Sequence, residues 1–286
     1  MKKIYCIYPT PSDSIGGTMG FGDFLAGCMG VLEYCSSKNI EVLFDVSKHP
    51  IAEFLANSLD HSCPKNIRIV NTYCDHEKTK LILDTYFDTS QKELGLISDL
   101  RPSSYELEDL TRPIQKFLTF APIIVNQLKI YKKMYNIESS YVVFHIRLDD
   151  SYFRGEPFES RMPCKEKILK IANELYKDKQ IIILSNNQQF KETIAKEIGA
   201  IAIPSEPGHL GIKGTQTNLT AACIDMEIMK HSSEIIQFSM YKWGSWFSTI
   251  VANAFNIPLT KIPIHNELIE YYKSTMGCEF DYHNKD

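Results

Sequence analysis

Hydrophobic and polar positions in this chain follow two periods that alternate almost from end to end. Short, nearly continuous apolar runs give way to longer segments in which apolar residues return every three or four positions. The first pattern predicts buried strands and the second predicts helices. In the first half, IYCIY (4–8), EVLFD (41–45), IRIVN (67–71) and KLILD (80–84) read as strands. Segments near 22–37, 50–57, 103–118 and 121–135 read as helices, with the order of the elements after 45 left open. The second half is cleaner: YVVFHIR (141–147), QIIILS (180–185), AIAIP (200–204) and EIIQFS (234–239) are strands. Amphipathic segments near 163–177, 188–198 and 219–231 separate them, and a further one runs from about 243 to 255. Single helices between strands that are apolar on both faces imply parallel sheets, so the predicted class is α/β, with two Rossmann-like domains facing a cleft. The polar stretch NIESS (136–140) marks the expected division into domains 1–138 and 139–286. Ligands of such sheets bind beyond the carboxyl ends of the strands.

Composition narrows the picture. With 286 residues, 44% hydrophobic and 23% charged, the chain is neither disordered nor a mini-domain stapled by disulfides. A net charge of -4 supplies no field for a polyanion, so nucleic acid is not an expected partner. The eight cysteines form no C-x-x-C pair and read as buried thiols. The first residues lack the apolar core of a signal peptide, and no run is long enough for a membrane span. A cytoplasmic protein is expected, with the sequon at Asn218 a chance match.

Four segments carry candidate chemistry. The chain has only 14 glycines, where about 20 would be average, yet Gly16, Gly17, Gly20, Gly22, Gly27 and Gly30 crowd around SIGGTMGFGDFLAG (14–27). This stretch follows the first strand and opens a helix; it reads either as a site where backbone approaches a ligand or as a tight turn. It is neither a Walker loop nor G-x-G-x-x-G. In FHIRLDD (144–150), His145 and Arg147 alternate on a strand and point the same way at its end. Arg147 there either holds a diphosphate or pairs with Asp149 or Asp150, and His145 is either a ligand contact or a core histidine. Asp149 and Asp150 also admit a divalent-metal reading. Asp225 lies among apolar residues ahead of a strand, where one carboxylate can accept both N1–H and the 2-amino group of guanine; the bland alternative is an exposed helix aspartate. Ser239, Tyr241, Trp243, Ser245 and Trp246 follow that strand and lead into a helix whose start suits phosphate. In LSNNQQF (184–190), Asn186 and Asn187 read most simply as a helix cap.

Taken in order, these segments resemble the GDP-fucose-dependent fucosyltransferases of GT-B fold, the superfamily of the α-1,2-, α-1,6- and protein O-fucosyltransferases. GFGDFLAG is similar to their G-x-G-N-Q or G-x-G-D segment, and HIRLDD to their His-x-Arg-x-x-Asp motif, closed here by Asp150. LSNN resembles a strand end that often reads Ser-Asp-Asp, and IDMEIMKHSSEIIQFSMYKWGSW the helical aspartate, strand and Trp-containing turn. The resemblance implies an inverting, metal-independent transfer of fucose from GDP-fucose to a glycan hydroxyl, with no cofactor beyond the donor. Its partners would be a nucleotide sugar and a glycan acceptor. Residues 1–138 would form the acceptor side and 139–286 the GDP-sugar-binding domain. Arg147 would contact the β-phosphate, His145 would lie against the nucleotide, Asp225 would read guanine, and Ser239, Trp243 and Ser245 would hold ribose or phosphate. Gly20, Gly22 and Asp23 would line the edge where donor sugar and acceptor meet, and Asp23, Glu156 and Glu159 are candidates for the general base. Three departures stand out: Leu148 replaces a second arginine, Asp23 an asparagine and Lys242 a serine. Another GDP-sugar such as GDP-mannose, or an inactive nucleotide-sugar-binding protein, remains the alternative.

Overall fold

Two parallel sheets, built from the chain's short apolar runs, carry the fold in the computed structural model. It describes residues 1–10, 19–57, 62–104, 108–148, 162–205, 215–241 and 244–264. The first sheet contains β1 (Lys2–Ile7), β2 (Ile40–Asp45), β3 (Ile69–Asn71) and β4 (Glu93–Ile97) in the order β2-β1-β4-β3. Helix α1 (Phe21–Cys35) links β1 to β2, and α2 (His76–Asp88) links β3 to β4. A 3₁₀ turn (Pro50–Phe54) and helices α3 (Glu108–Phe117) and α4 (Pro122–Met134) complete the first half. The second sheet contains β5 (Val142–Arg147), β6 (Ile181–Ser185), β7 (Ile201–Ala202), β8 (Glu234–Ser239) and β9 (Leu259–Pro263) in the order β7-β6-β5-β8-β9. Its connecting helices are α5 (Met162–Leu175), α6 (Gln188–Ile198), α7 (Gln216–Lys230) and α8 (Trp246–Ala254). Every pairing within the two sheets is parallel, as the apolar strands predict.

The chain divides into two compact units, residues 1–130 with 208–231 and 246–257, and residues 131–207 with 232–245 and 258–286. The two sheets fall on either side of the expected division, but α7 and α8, which follow it in sequence, belong to the first unit. Helix α7 buries apolar side chains all round, from Leu219 to Met229. At its end the Lys230 ammonium donates to Leu118 O (3.2 Å) and lies over the rings of Phe120 and Phe255.

KLILD is not a strand. It lies within α2, where Asp75 caps the helix by accepting from Lys78 N (2.9 Å), and Thr79, Leu83 and Tyr86 form the buried face. Leu81 is 65% exposed, so the run is apolar in composition but helical in period. The strand in this part of the chain is ELGLI, β4, which pairs with β1 and β3. Strand β9 is a second element the apolar pattern missed, an edge strand with exposed Thr260, Lys261 and Pro263. Of the cysteines expected to be buried, Cys63 is half-buried and Cys74 is exposed, the latter in a left-handed turn at φ 64°.

Much of the glycine cluster serves packing. A Cβ on Gly27 or Gly30 would overlap the carbonyl oxygens of Ser98 and Leu100 just beyond β4, and one on Gly22 would sit 2.6 Å from Phe247 N at the start of α8. Helix α1 therefore touches backbone along this face, leaving no room for a side chain. Phe21 and Phe24, on the same helix, pack with Tyr8 and Phe117 in an aromatic cluster. Gly27→Ala should lower stability by about 1–3 kcal/mol or more through overpacking, read as a fall in the urea midpoint at unchanged slope.

Candidate functional site

The second sheet has the doubly wound order 3-2-1-4-5, with β5 in the central place. Successive strands run outward on one side through β6 and β7 and on the other through β8 and β9, so the order reverses between β5 and β8. The loops leaving these two strands diverge, and their carboxyl ends form the switch point at which such sheets bind ligands. The register pairs His145 with Gln237 and Arg147 with Ser239. Three sequence-predicted residues, His145, Arg147 and Ser239, therefore meet on adjacent strands of one unit.

Their surroundings differ. His145 is 7% exposed, and burial, then the neighbouring Arg147 charge, pushes its pKa down from 6.5 to about 3, so the imidazole is neutral at physiological pH. Arg147 is half-buried; its Nη1 donates to Leu148 O (3.1 Å), and its guanidinium lies 5.6 Å from the centre of the Tyr241 ring. Leu148, where a second arginine was absent, is fully buried in the core of this unit. Its backbone is held from β6: Leu148 N donates to Asn186 Oδ1 (3.0 Å) and Asn186 Nδ2 donates to Leu148 O (3.2 Å). The two asparagines thus do separate work, since Asn187 caps α6 by accepting from Phe190 N (2.8 Å). Ser239 is buried, and its hydroxyl accepts from Tyr241 N (3.1 Å), shaping the turn that leaves β8.

Gln237 was missed. It is fully buried, and its amide clamps the end of that turn: Nε2 donates to Ser245 O and Oε1 accepts from Ser245 N, both at 2.9 Å. Gly244, at φ 87°, permits this close approach, and a side chain there would collide with the Gln237 amide. A lone glutamine inside the apolar run EIIQFS, eight residues before Ser245, was the available signal.

In the first unit, Gly20 is the extended residue that starts α1, and its carbonyl accepts from Phe24 N (3.0 Å). Gly22 faces α8. Asp23, in the first turn, accepts from Arg101 Nη2 at 2.8 Å. Arg101, like Gln237, escapes local sequence reasoning, here because it comes from beyond β4. Asp225, on α7, is 7% exposed rather than an exposed helix aspartate, and it contributes to raising the buried thiol of Cys223 far above its ordinary pKa. Asp149, Asp150, Glu156, Glu159, Lys242 and Trp243 lie outside the described residues. Among the described residues no group of three or more His, Cys, Asp or Glu is arranged to hold a metal ion, and no helix is long and apolar enough to cross a membrane.

No family model matches the sequence, and no curated protein does. Solved structures do match. Fucosyltransferase NodZ from Bradyrhizobium superposes with a TM-score of 0.57 at 12% identity, covering 87% of this chain and 91% of that one. The chain has the GT-B-like α/β fold of these enzymes. NodZ α-1,6-fucosyltransferase soaked with GDP-fucose matches with a TM-score of 0.57 at 14% identity, over 93% of this chain and 96% of that one. Arabidopsis thaliana FUT1, a mutant in complex with GDP, matches with a TM-score of 0.57 at 13% identity, over 91% of this chain and 70% of that one.

The buried imidazole has a measurable consequence. Because its folded pKa lies below the unfolded value, the unfolded chain binds the extra proton between pH 6.5 and about 3; stability is full above 6.5 and falls with acidification. The contribution has a limiting slope of about 1.4 kcal/mol per pH unit. Urea unfolding of wild type and His145→Gln at pH 7, 5.5 and 4.5 should give a stability gap that narrows as pH falls. A constant gap would contradict a neutral His145.

Proposed function

We propose that this chain is an inverting, metal-independent glycosyltransferase that moves fucose from GDP-fucose to a glycan hydroxyl. The observation that carries the reading is Arg147 beside Ser239 at the switch point of a 3-2-1-4-5 sheet. The GT-B-like fold, found in fucosyltransferases solved with GDP and with GDP-fucose, supports it. The acceptor oxygen attacks the anomeric carbon of fucose as the bond to the β-phosphate breaks, and negative charge grows on the departing GDP. Arg147 stabilises that charge, and because the guanidinium is braced by Leu148 O and Tyr241 it needs little reorganisation to do so. A permanently charged arginine also makes a metal ion unnecessary for this task.

The neutral His145 lies against the nucleotide, where a second cation is not required. Asp225 reads guanine: a buried carboxylate is well suited to two adjacent N–H donors. The turn from Ser239 through Trp243 to Ser245, fixed at its far end by Gln237, holds ribose or phosphate. Residues 1–138 provide the acceptor side through Gly20, Gly22 and Asp23, and the acceptor proton passes to a carboxylate, Asp23 or Glu156, with Asp150 assigned to substrate binding.

A donor panel with turnover readout tests nucleotide, sugar and activity together. GDP-fucose should be consumed faster than GDP-mannose, and GDP should raise the melting temperature where ADP and UDP do not. Equal stabilisation by ADP would remove Asp225 from guanine recognition. Arg147→Ala should lose about a hundredfold or more in kcat while melting normally; wild-type turnover would remove its phosphate role. EDTA should leave the rate unchanged, and loss of activity restored by Mn²⁺ would overturn the metal-independent mechanism.

A further inference from the structure

A cleft in the first unit lies away from every residue assigned to donor or acceptor. Lys2 and Ile40 begin β1 and β2, and Lys92 immediately precedes β4, so the cleft sits at the amino edge of the first sheet. The strand ends that lead to Asp23 and Arg101 are at the opposite edge. The cleft has a volume of about 450 Å³, which suits a small ligand, and its walls include Lys2, Lys38, Asn39, Phe87, Ser90 and Lys92. No carboxylate lines it, although the chain as a whole carries a net charge of -4.

The three lysines divide the work. Lys2 Nζ donates to Tyr86 O (2.6 Å), Phe87 O (2.9 Å) and Thr89 O (2.7 Å), committing all its protons to carbonyls at the end of α2. Those carbonyls carry the negative end of the helix dipole and would repel an anion, so Lys2 offsets that repulsion. Lys38 Nζ lies 5.1 Å from the centre of the Phe87 ring, which stacks in turn on Tyr34 at 6.2 Å. Both Lys38 and Lys92 are exposed, and among the described residues neither ammonium makes an ion pair or a hydrogen bond. Lys3, by contrast, pairs with Glu41 at 3.5 Å. Two accessible cations are therefore left for a ligand. A phosphate monoester matches them, with a charge of roughly -1.5 to -2 at neutral pH and three acceptor oxygens. The exposed side chains of Asn39 and Ser90 suit hydroxyls on the rest of such a molecule.

We propose that this cleft is a binding site for a small phosphate monoester, such as a sugar phosphate, whose phosphate is held by Lys38 and Lys92. The site is separate from the one for GDP and does not depend on the glycosyltransferase reading. Isothermal titration calorimetry of the full chain with glucose 6-phosphate, at low salt because exposed charges are screened, tests it with glucose as the uncharged control. Glucose 6-phosphate should bind wild type and glucose should not. Lys38→Gln and Lys92→Gln should each weaken binding about fivefold, the upper range for an exposed charge pair. Both side chains are exposed, so both variants should melt close to wild type. Arg147→Ala, which removes the cation at the β5–β8 switch point, and Lys129→Gln, which removes an exposed lysine of α4, should bind as wild type does. No binding by wild type, glucose bound as tightly as its phosphate, or unchanged affinity in both cleft variants would each overturn the proposal. Loss of binding in Arg147→Ala would move the phosphate to the switch point, and an equal loss in Lys129→Gln would reduce the effect to general surface charge; either result overturns the site.

Discussion

The parallel pairing of β5 with β8 is the constraint from which the second unit is organised. Neighbouring parallel strands cannot be joined by a hairpin, so each must leave the sheet at the same end and return through a crossover. With β5 central, every crossover puts its loop on that end, and the register that sets Arg147 beside Ser239 also sets His145 beside Gln237. The polar residues of both strands are thereby collected at one edge while Phe144, Ile146, Ile236 and Phe238 remain in the core. Arg147 and the turn after Ser239 owe their proximity to hydrogen bonds made several residues earlier.

Around that edge, side-chain amides take the part of absent backbone neighbours. Asn186 binds both the N–H and the C=O of Leu148, and Gln237 binds both polar groups of Ser245. Each amide satisfies backbone beyond the end of a strand, where the ladder no longer supplies a partner. One departure from the fucosyltransferase pattern becomes intelligible in this light. Leu148 faces the core with its backbone fully engaged, so a charge there would have been buried rather than offered to a ligand.

The second half of the chain was legible in its sequence because its strands are buried on both faces: EIIQFS and the helix over 188–198 match their observed limits. The first half was harder for a physical reason. KLILD is apolar locally, but its buried partners Thr79, Leu83 and Tyr86 are spaced for a helix, and ELGLI was overshadowed by its glycine and glutamate. Among site residues, those on one strand were readable from alternation. Arg101 was not, because its partner Asp23 is 78 residues away and only the pairing of β1 with β4 brings the two ends together. The glycine stretch shows the same limit: sequence reports that side chains are missing, and only packing reveals that Gly27 and Gly30 face carbonyl oxygens.

Cys74 carries a consequence of a different kind. Its left-handed backbone turns the chain at the exit of β3 so that its amide reaches Asp99, and its side chain is left exposed, while the other described cysteines are buried or half-buried. The most exposed native thiol among them thus sits beside Tyr73, just past the end of β3. Nature has placed a labelling handle there: a fluorophore attached to Cys74 would report on the backbone turn at the exit of β3.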